Sequence, residues 1–494
     1  MEVELTNFWV MILAAVLGFC VFVFGFLRRF NDLWTMVKLG KKVYKTLPPG
    51  DMGWPLIGSS LWFYKAFSAS GDPDSFIKHL RSRYGRVGMY KTHLFGKPAV
   101  IVTDPEICRR VYSDDKHFVM SYPKSVKILG TGSLSRIDHR ITHRFMAAPI
   151  NGSEALARYV GFIEQVVVRG LEEWSSMRKP IELLHEIKRL TFRIIIHVFM
   201  GSALDPHIPK LEKLYAELSA AVFVAFAIDV PGSTYHRALK AKEEIQNILR
   251  PVIEEKRRII EKNEEMEDKC QLDAVIKGKN GKGEKIFDND AIIDMLLGLL
   301  YAGHHTSAHG TMWALIQLLE HPQVYEKAKE EQELIMKQRP STQKGLIFNE
   351  IKQMTYLVKV INEMLRRVSI VFANFREAAT DVNINGYTIP KGWVVPVWIK
   401  GVHMDPQIYP NPEEFNPSRW DTHTPKPGAF IPFGFGNRFC PGNELAKLEI
   451  TILLHHFLLK YRWERVNPKA SITSVPMPSP IDQCLAKITA IPSS

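Results

Sequence analysis

Phe433-Gly434-Phe435-Gly436-Asn437-Arg438-Phe439-Cys440-Pro441-Gly442 carries the strongest chemistry in the chain. Its glycines let the backbone turn tightly around one sulfur, and a predicted helix begins directly after Gly442. A helix amino terminus offers unpaired N–H groups and partial positive charge, both of which favour a thiolate. A lone thiolate on a loop, with Arg438 two residues before it, suits an axial ligand to haem iron, the arginine neutralising a propionate. Phe433, Gly436, Arg438, Cys440 and Gly442 occupy the fixed positions of the pattern FxxGxRxCxG. The other cysteines, Cys20, Cys108, Cys270 and Cys484, are scattered and form no CxxC pair. That argues against a zinc ribbon or disulfide framework and for a reducing compartment. Cys108, Cys270 and Cys484 are expected to be small buried hydrophobes.

A second cluster, Ala302-Gly303-His304-His305-Thr306-Ser307, places polar groups at the end of an apolar run. Gly303 offers a groove, Thr306 a hydroxyl, and His305 an imidazole able to relay protons near neutral pH. A threonine inside a helix also has a simpler use, bonding the carbonyl four residues back. His305 and His309, spaced i,i+4, share a helix face as metal ligands do. A zinc hydrolase would carry glutamate beside the first histidine, where this chain has Thr306. Glu363 and Arg366 project from one helix face and can pair. His139-Arg140-Ile141-Thr142-His143-Arg144 is a basic cluster, equally readable as a surface turn.

Those residues need a frame. The 494 residues are 46% hydrophobic and 23% charged, which allows a sizeable core and excludes disorder, collagen and coiled coil as the main architecture. Helical patterns dominate from about residue 74 to 370, interrupted by strand-like segments such as 97–102. Asp288, Asn289 and Asp290 can cap a helix running from Ala291 to Glu320 and stopping at His321-Pro322. Its stretch Ile292–Ala302 is apolar on almost every side, which predicts a central, buried helix. Past residue 376 the pattern turns to strands: a hairpin over 381–389 around Asn385-Gly386, then a turn at 390–392 leading into 393–397. A long loop rich in Pro, Gly and Asn follows over 405–442, and a last helix runs to about Leu459. Residues 254–269 read as the exposed end of a long helix. Residues 277–283 lack the GK[ST] ending of a phosphate loop and read as a solvated loop.

Phe8–Leu27 holds no charged side chain, and a helix of that length spans about 30 Å, a bilayer's hydrocarbon core. The run is too long for a secretory signal, whose apolar region is about 7–15 residues. Glu2 and Glu4 precede it, while Arg28, Arg29, Lys38, Lys41, Lys42 and Lys45 follow, so the positive-inside rule places the body in the cytosol. The predicted layout is an anchor over 1–27, a basic, proline-rich linker over 28–58 and one catalytic domain over 59–494. The formal charge of +12 comes without a basic stripe interleaved with aromatics, which disfavours nucleic acid. It suits an anionic membrane face and an acidic protein partner.

With these motifs in this order, the chain resembles a membrane-anchored plant cytochrome P-450, a haem-thiolate monooxygenase, from the proline strap to the carboxyl end. Residues 47–55, 84–98, 147–152, 383–387 and 445–450 resemble the group that contains ent-kaurenoic acid oxidase and beta-amyrin 11-oxidase. The resemblance implies a mainly α fold with small β-sheets, preceded by one transmembrane helix. It implies haem b on Cys440, electrons from NADPH through NADPH–cytochrome P-450 reductase, and residence in the endoplasmic reticulum membrane. It also implies that Arg419 completes a buried triad with Glu363 and Arg366, that Arg376 meets a haem propionate, and that Gly303 and Thr306 belong to the oxygen-activating motif [AG]Gx[DE]T. Two positions depart from the family. His305 stands where an acid is expected, and His143 where HRxxRR has the first arginine of its last pair, leaving Arg140, Arg144 and Arg438 as basic neighbours for the haem. The implied reaction is oxidation of a polycyclic terpenoid with dioxygen. A triterpenoid is favoured over ent-kaurenoic acid, whose carboxylate would want a cation near the pocket. The two departures leave open a haem-binding protein of impaired turnover. Residues 220–228, Val371, Phe372 and Leu296–Leu300 are the expected pocket lining.

Overall fold

The computed structural model describes residues 2–492 apart from 56, 69–71, 123, 131–136, 223, 225, 226, 264 and 266, with side chains described except at 2–8, 10, 11, 68 and 124. Its longer helices are α1 (Glu2–Leu39), α2 (Ser60–Ser68), α3 (Asp74–Tyr84), α4 (Pro105–Ser113), α5 (His139–Ala147), α6 (Ser153–Ser176) and α7 (Leu183–Met200). They continue with α8 (Ile208–Ala221), α9 (Thr234–Lys262), α10 (Asn289–Glu320), α11 (Pro322–Gln338), α12 (Thr355–Val368) and α13 (Asn443–Lys460). The strands are β1 (Met89–Leu94), β2 (Lys97–Val102), β3 (Phe118–Met120), β4 (Ile181–Glu182), β5 (Asn374–Ala378) and β6 (Val382–Ile384). After them come β7 (Tyr387–Ile389), β8 (Val394–Val397), β9 (Tyr461–Arg465), β10 (Ile472–Thr473), β11 (Ser479–Pro480) and β12 (Leu485–Ala490). The mainly helical class with small sheets is as expected. The chain forms two compact units, one of residues 1–121, 372–408 and 426–430, the other of residues 122–371, 409–425 and 431–494.

In the first unit, α1 overruns the predicted anchor. Residues 28–39 contain no Pro or Gly, so the helix continues past the arginines until Gly40, whose φ of 79° ends it. The portion Ile12–Leu39 is long and apolar enough to cross a membrane, and its 18-residue apolar window is unburied. The proline strap is fastened to this helix: Asn31 donates through Nδ2 to the carbonyls of Met52 at 3.0 Å and Trp54 at 2.5 Å. Asp32 pairs with Lys91 of β1 at 3.1 Å and accepts from the Tyr44 hydroxyl at 2.6 Å.

The unit's main sheet has the order β1-β2-β8-β5-β3. β2 pairs antiparallel with β1 and parallel with β8, while β5 pairs antiparallel with β8 and β3. Asn385 and Gly386 adopt φ of 52° and 83° and turn the β6–β7 hairpin as predicted. Trp398 is fully buried, its ring 5.5–5.9 Å from those of Phe63, Phe67, Phe76 and Phe372. Phe372, expected to line a pocket, is half-buried and packs against this aromatic core.

The second unit is organised on α10. Asp288 caps it by accepting from the Ala291 N–H at 2.7 Å. Its residues 291–297, 300 and 307–318 are buried, and it packs against α7, α12 and α13. Leu296, Leu297 and Leu300 are core here. Of the expected lining over 220–228, Ala221 and Val222 are buried, Ala227 and Ile228 exposed, and positions 223, 225 and 226 lie outside the described residues. α9 ends at Lys262, so the predicted exposed helix end stops short of Lys269. The 278–283 segment is a loop with a bridge between Lys279 and Lys285.

Replacing Trp398 with Ala should cost about 3–5 kcal/mol, the range for emptying a buried aromatic site. The check is the denaturant midpoint of the purified protein; an unchanged midpoint would mean the ring is not a core element.

Candidate active site

Glu363 and Arg366 lie on α12 with both side chains fully buried, 2.8 Å apart at Oε1 and Nη2. Isolated, either charge would be very costly there, so the geometry around them has to be saturated. It is. Arg366 donates to Glu363 from Nε at 2.9 Å and from Nη2 at 2.8 Å, and Arg419 donates from Nε at 3.3 Å. The backbone N–H of Asn416 at 3.2 Å and the Trp420 indole N–H at 3.1 Å complete the shell. Arg366 Nη2 also reaches the carbonyl of Pro412 at 2.8 Å. The three residues anticipated as a triad do meet, and they staple α12 to the long loop. Asn416 and Trp420 are additions that the sequence reading missed, although both sit within three residues of Arg419.

The Cys440 turn is built on Gly434 and Gly436, whose φ values of 78° and 72° are left-handed conformations that a side chain would strain. The Cys440 N–H donates to the Phe433 carbonyl at 2.9 Å, closing the turn. Gly436–Arg438 form a single 3₁₀ turn, and Arg438 is half-buried. Gly442 is the N-cap of α13. Burial pushes the Cys440 thiol up, opposed by a hydrogen bond from the Gly442 backbone N–H. The expected stabilisation from the helix start is thus present but smaller than the desolvation. Phe433 stacks edge-on to Phe439 with centroids 6.5 Å apart, and Lys447 lies 5.6 Å over its ring. Cys108, Cys270 and Cys484 are buried, as anticipated, though Cys270 Sγ also accepts from Lys256 Nζ at 3.2 Å.

In α10, Ala302 is exposed and Tyr301, Gly303, His305 and Thr306 are half-buried, an opening in a largely buried helix. A Cβ on Gly303 would lie 3.1 Å from Ile195 Cδ1, so its missing side chain serves the close approach of α7. Thr306 donates its hydroxyl to the Ala302 carbonyl at 2.8 Å, the simpler use foreseen for it. His305 Nε2 lies 2.8 Å from Ser219 Oγ on α8, and Ser219 Oγ donates to the Tyr215 carbonyl at 2.5 Å. Since the serine's one proton is committed, the imidazole is the donor and keeps its proton on Nε2. Burial, then repulsion from His304, Lys188 and His309, holds His305 well below its usual range. Burial likewise takes His304 and His309 down to about 4. Ser219 lies 86 residues away from His305, and no local pattern announces the pairing.

The basic residues are dispersed. Arg140 is exposed and ion-paired with Asp138 at 2.8 Å. Arg144 is exposed, 5.5 Å over the Phe145 ring. His143 Nε2 lies 2.7 Å from the Phe439 carbonyl. Arg376, in the other unit, is buried and sits 5.5 Å over the Tyr112 ring. Burial raises Glu449 on α13 to about 8, partly relieved by Ser307.

Among the described residues, no three His, Cys, Asp or Glu side chains converge as a metal site. The His305 and His309 pair is no exception, because His309 Nδ1 bonds the His305 carbonyl at 2.7 Å. One sulfur on a glycine-built turn fits a metal whose remaining ligands come from an organic ring, as in haem.

A family model described as Cytochrome P450 matches residues 48–483. Beta-amyrin 11-oxidase of Glycyrrhiza uralensis is 50% identical over 98% of this chain and 99% of its own. Ent-kaurenoic acid oxidase of Oryza sativa subsp. japonica is 44% identical over 98% and 96%. The retinoic-acid-bound cyanobacterial CYP120A1 superposes with a TM-score of 0.77 at 26% identity, covering 90% of this chain and 99% of that one.

Glu363→Gln should destabilise the protein by about 3–5 kcal/mol, because Arg366 would remain buried without a counter-charge. Expressed beside the unaltered chain, it should yield little folded, haem-loaded protein. A normal yield and melting midpoint would contradict this.

Proposed function

Because the chain belongs to the cytochrome P-450 family, we propose that it is a membrane-anchored monooxygenase that oxidises a polycyclic terpenoid, a triterpenoid in first place. The carrying observation is Cys440, a single thiol on a turn closed by its own N–H and leading straight into α13. In this reading Cys440 holds the iron of haem b. Arg438 would neutralise a propionate, with Arg140 and Arg144 as further basic residues, and Phe433, Gly436 and Gly442 would shape the loop. Once bound, the haem supplies dioxygen activation and insertion of one oxygen into a C–H bond, with electrons from NADPH through a reductase.

The chain's own residues bind, orient and exclude water. Glu363, Arg366 and Arg419 hold the loop that leads to Cys440. The opening at Tyr301–Thr306 borders the substrate space, with Gly303 in the oxygen-activating stretch. Thr306 can release the Ala302 carbonyl and turn its hydroxyl inward, and His305 offers a bare Nδ1 as acceptor. Neutral imidazole at this place supports the choice of an uncharged hydrocarbon skeleton over a carboxylate. The greater identity to the beta-amyrin oxidase points the same way. Residues 59–494 then form one catalytic body in the cytosol, tied through the strap to a single-pass anchor in the endoplasmic reticulum.

A second reading, a haem protein of impaired turnover, draws on the proton placement: the Thr306 and His305 protons both point to other acceptors in this structure.

Microsomes holding the chain and a reductase should give a thiolate-type Soret band with carbon monoxide, lost in Cys440→Ser. They should oxidise beta-amyrin or a related triterpene; clean conversion of ent-kaurenoic acid with triterpenes untouched would overturn the substrate choice. His305→Glu, which restores an acid beside Thr306, should raise product formed per NADPH consumed. Unchanged coupling would show that the imidazole is not the limiting feature.

A further inference from the structure

The resemblance places a propionate-binding arginine at position 143, yet the histidine found there reaches a different partner. His143 sits in α5, half-buried, with Nε2 2.7 Å from the carbonyl oxygen of Phe439. A carbonyl can only accept, so the imidazole carries its proton on Nε2 and donates. That carbonyl belongs to the peptide unit joining Phe439 to Cys440, whose N–H donates to the Phe433 carbonyl at 2.9 Å. One rigid peptide plane is therefore held at both ends, from within the turn by Phe433 and from outside it by α5. The two bonds fix ψ of Phe439 and φ of Cys440, the dihedrals that set where the sulfur points. Phe439 is 38% exposed, so without His143 water could satisfy its carbonyl, and the plane would lose its only anchor outside the turn among the described bonds.

We propose that His143 is a positioning residue for the Cys440 sulfur, acting through the Phe439 carbonyl, and that it replaces a charge contact to the cofactor with a clamp on the ligand-bearing peptide. This rests on the reading of Cys440 as the haem ligand. It accounts for an imidazole at a place where the family pattern calls for a guanidinium: a backbone carbonyl needs one donor of the right reach.

The test uses the full-length protein in membranes and follows the carbon-monoxide spectrum of the reduced form under a mild denaturant challenge. His143→Phe keeps a ring without the donor, and His143→Gln places an amide N–H near the position of Nε2. The ratio of thiolate-ligated to thiolate-detached haem should fall about fivefold in His143→Phe, the worth of one neutral hydrogen bond. His143→Gln should stay close to the parent. An unchanged ratio in His143→Phe would overturn the proposal, and a loss confined to His143→Gln would assign the effect to ring packing; equal losses in the two variants would overturn it too, since a donor in place of Nε2 would then restore nothing. A parent protein without any thiolate band would instead refute Cys440 ligation, a separate and distinguishable result. Should His143→Phe fail to fold by its melting midpoint, His143→Ala takes its place with the same expected loss.

Discussion

A carboxylate with no solvent exposure can be kept only if every lone pair is used, and Glu363 meets that condition with five hydrogen bonds. Its partners come from two parts of the chain, α12 and the loop over 416–420. Neither part can move without leaving charge unpaired in a medium that does not tolerate it. Arg366 extends the constraint to the carbonyl of Pro412, and its guanidinium lies 5.2 Å over the Tyr409 ring. A largely irregular segment, with only the short helix Arg419–Thr422 at this place, is thereby given a fixed course. A buried pair of this kind adds less to net stability than a well-packed apolar replacement would. What it adds is a unique geometry, because an apolar cluster of similar volume would accept several loop paths.

The same logic of filled donors runs along α10. Its helix is stable because it is largely apolar and packed among other helices, so polar side chains within it are tolerated only where each finds a partner. His304 bonds the Leu300 carbonyl, His305 reaches Ser219, and His309 returns to the His305 carbonyl. Burial then sets their protonation. A carboxylic acid in this setting would also be driven neutral, but it would carry a transferable proton; neutral imidazole bonded through Nε2 presents a lone pair. The chemical difference between the expected residue and the one found is thus in the direction of the available proton more than in charge.

Much of this was legible from sequence because the relevant signals are local. ExxR spacing puts two charges on one helix face, Asn385-Gly386 has the φ values its turn needs, Asp288 caps the helix it precedes, and glycines flank Cys440. The misses have physical causes of two kinds. Charge ends the apolar run at Leu27, yet helix propensity continues through Arg28 and Arg29 until Gly40 breaks it, so α1 reaches Leu39. The longer-range contacts, His305 to Ser219 and His143 to Phe439, join elements distant in sequence, and no spacing encodes which surfaces the fold will bring together.

The two histidines that depart from the family pattern have one feature in common. Each donates from Nε2, one to a backbone carbonyl and one to a hydroxyl whose proton is spent, so both tautomers follow from acceptors that leave no choice. An arginine is missing at 143 and an acid at 305, and an imidazole stands in each place. The short-range contacts are rewritten: His143 reaches a backbone carbonyl and His305 a serine hydroxyl. Direction is a stricter demand than charge. An imidazole fixed through one nitrogen satisfies one arrangement of its neighbours. The departures therefore tighten the placement of α5 against the Cys440 turn and of α8 against α10.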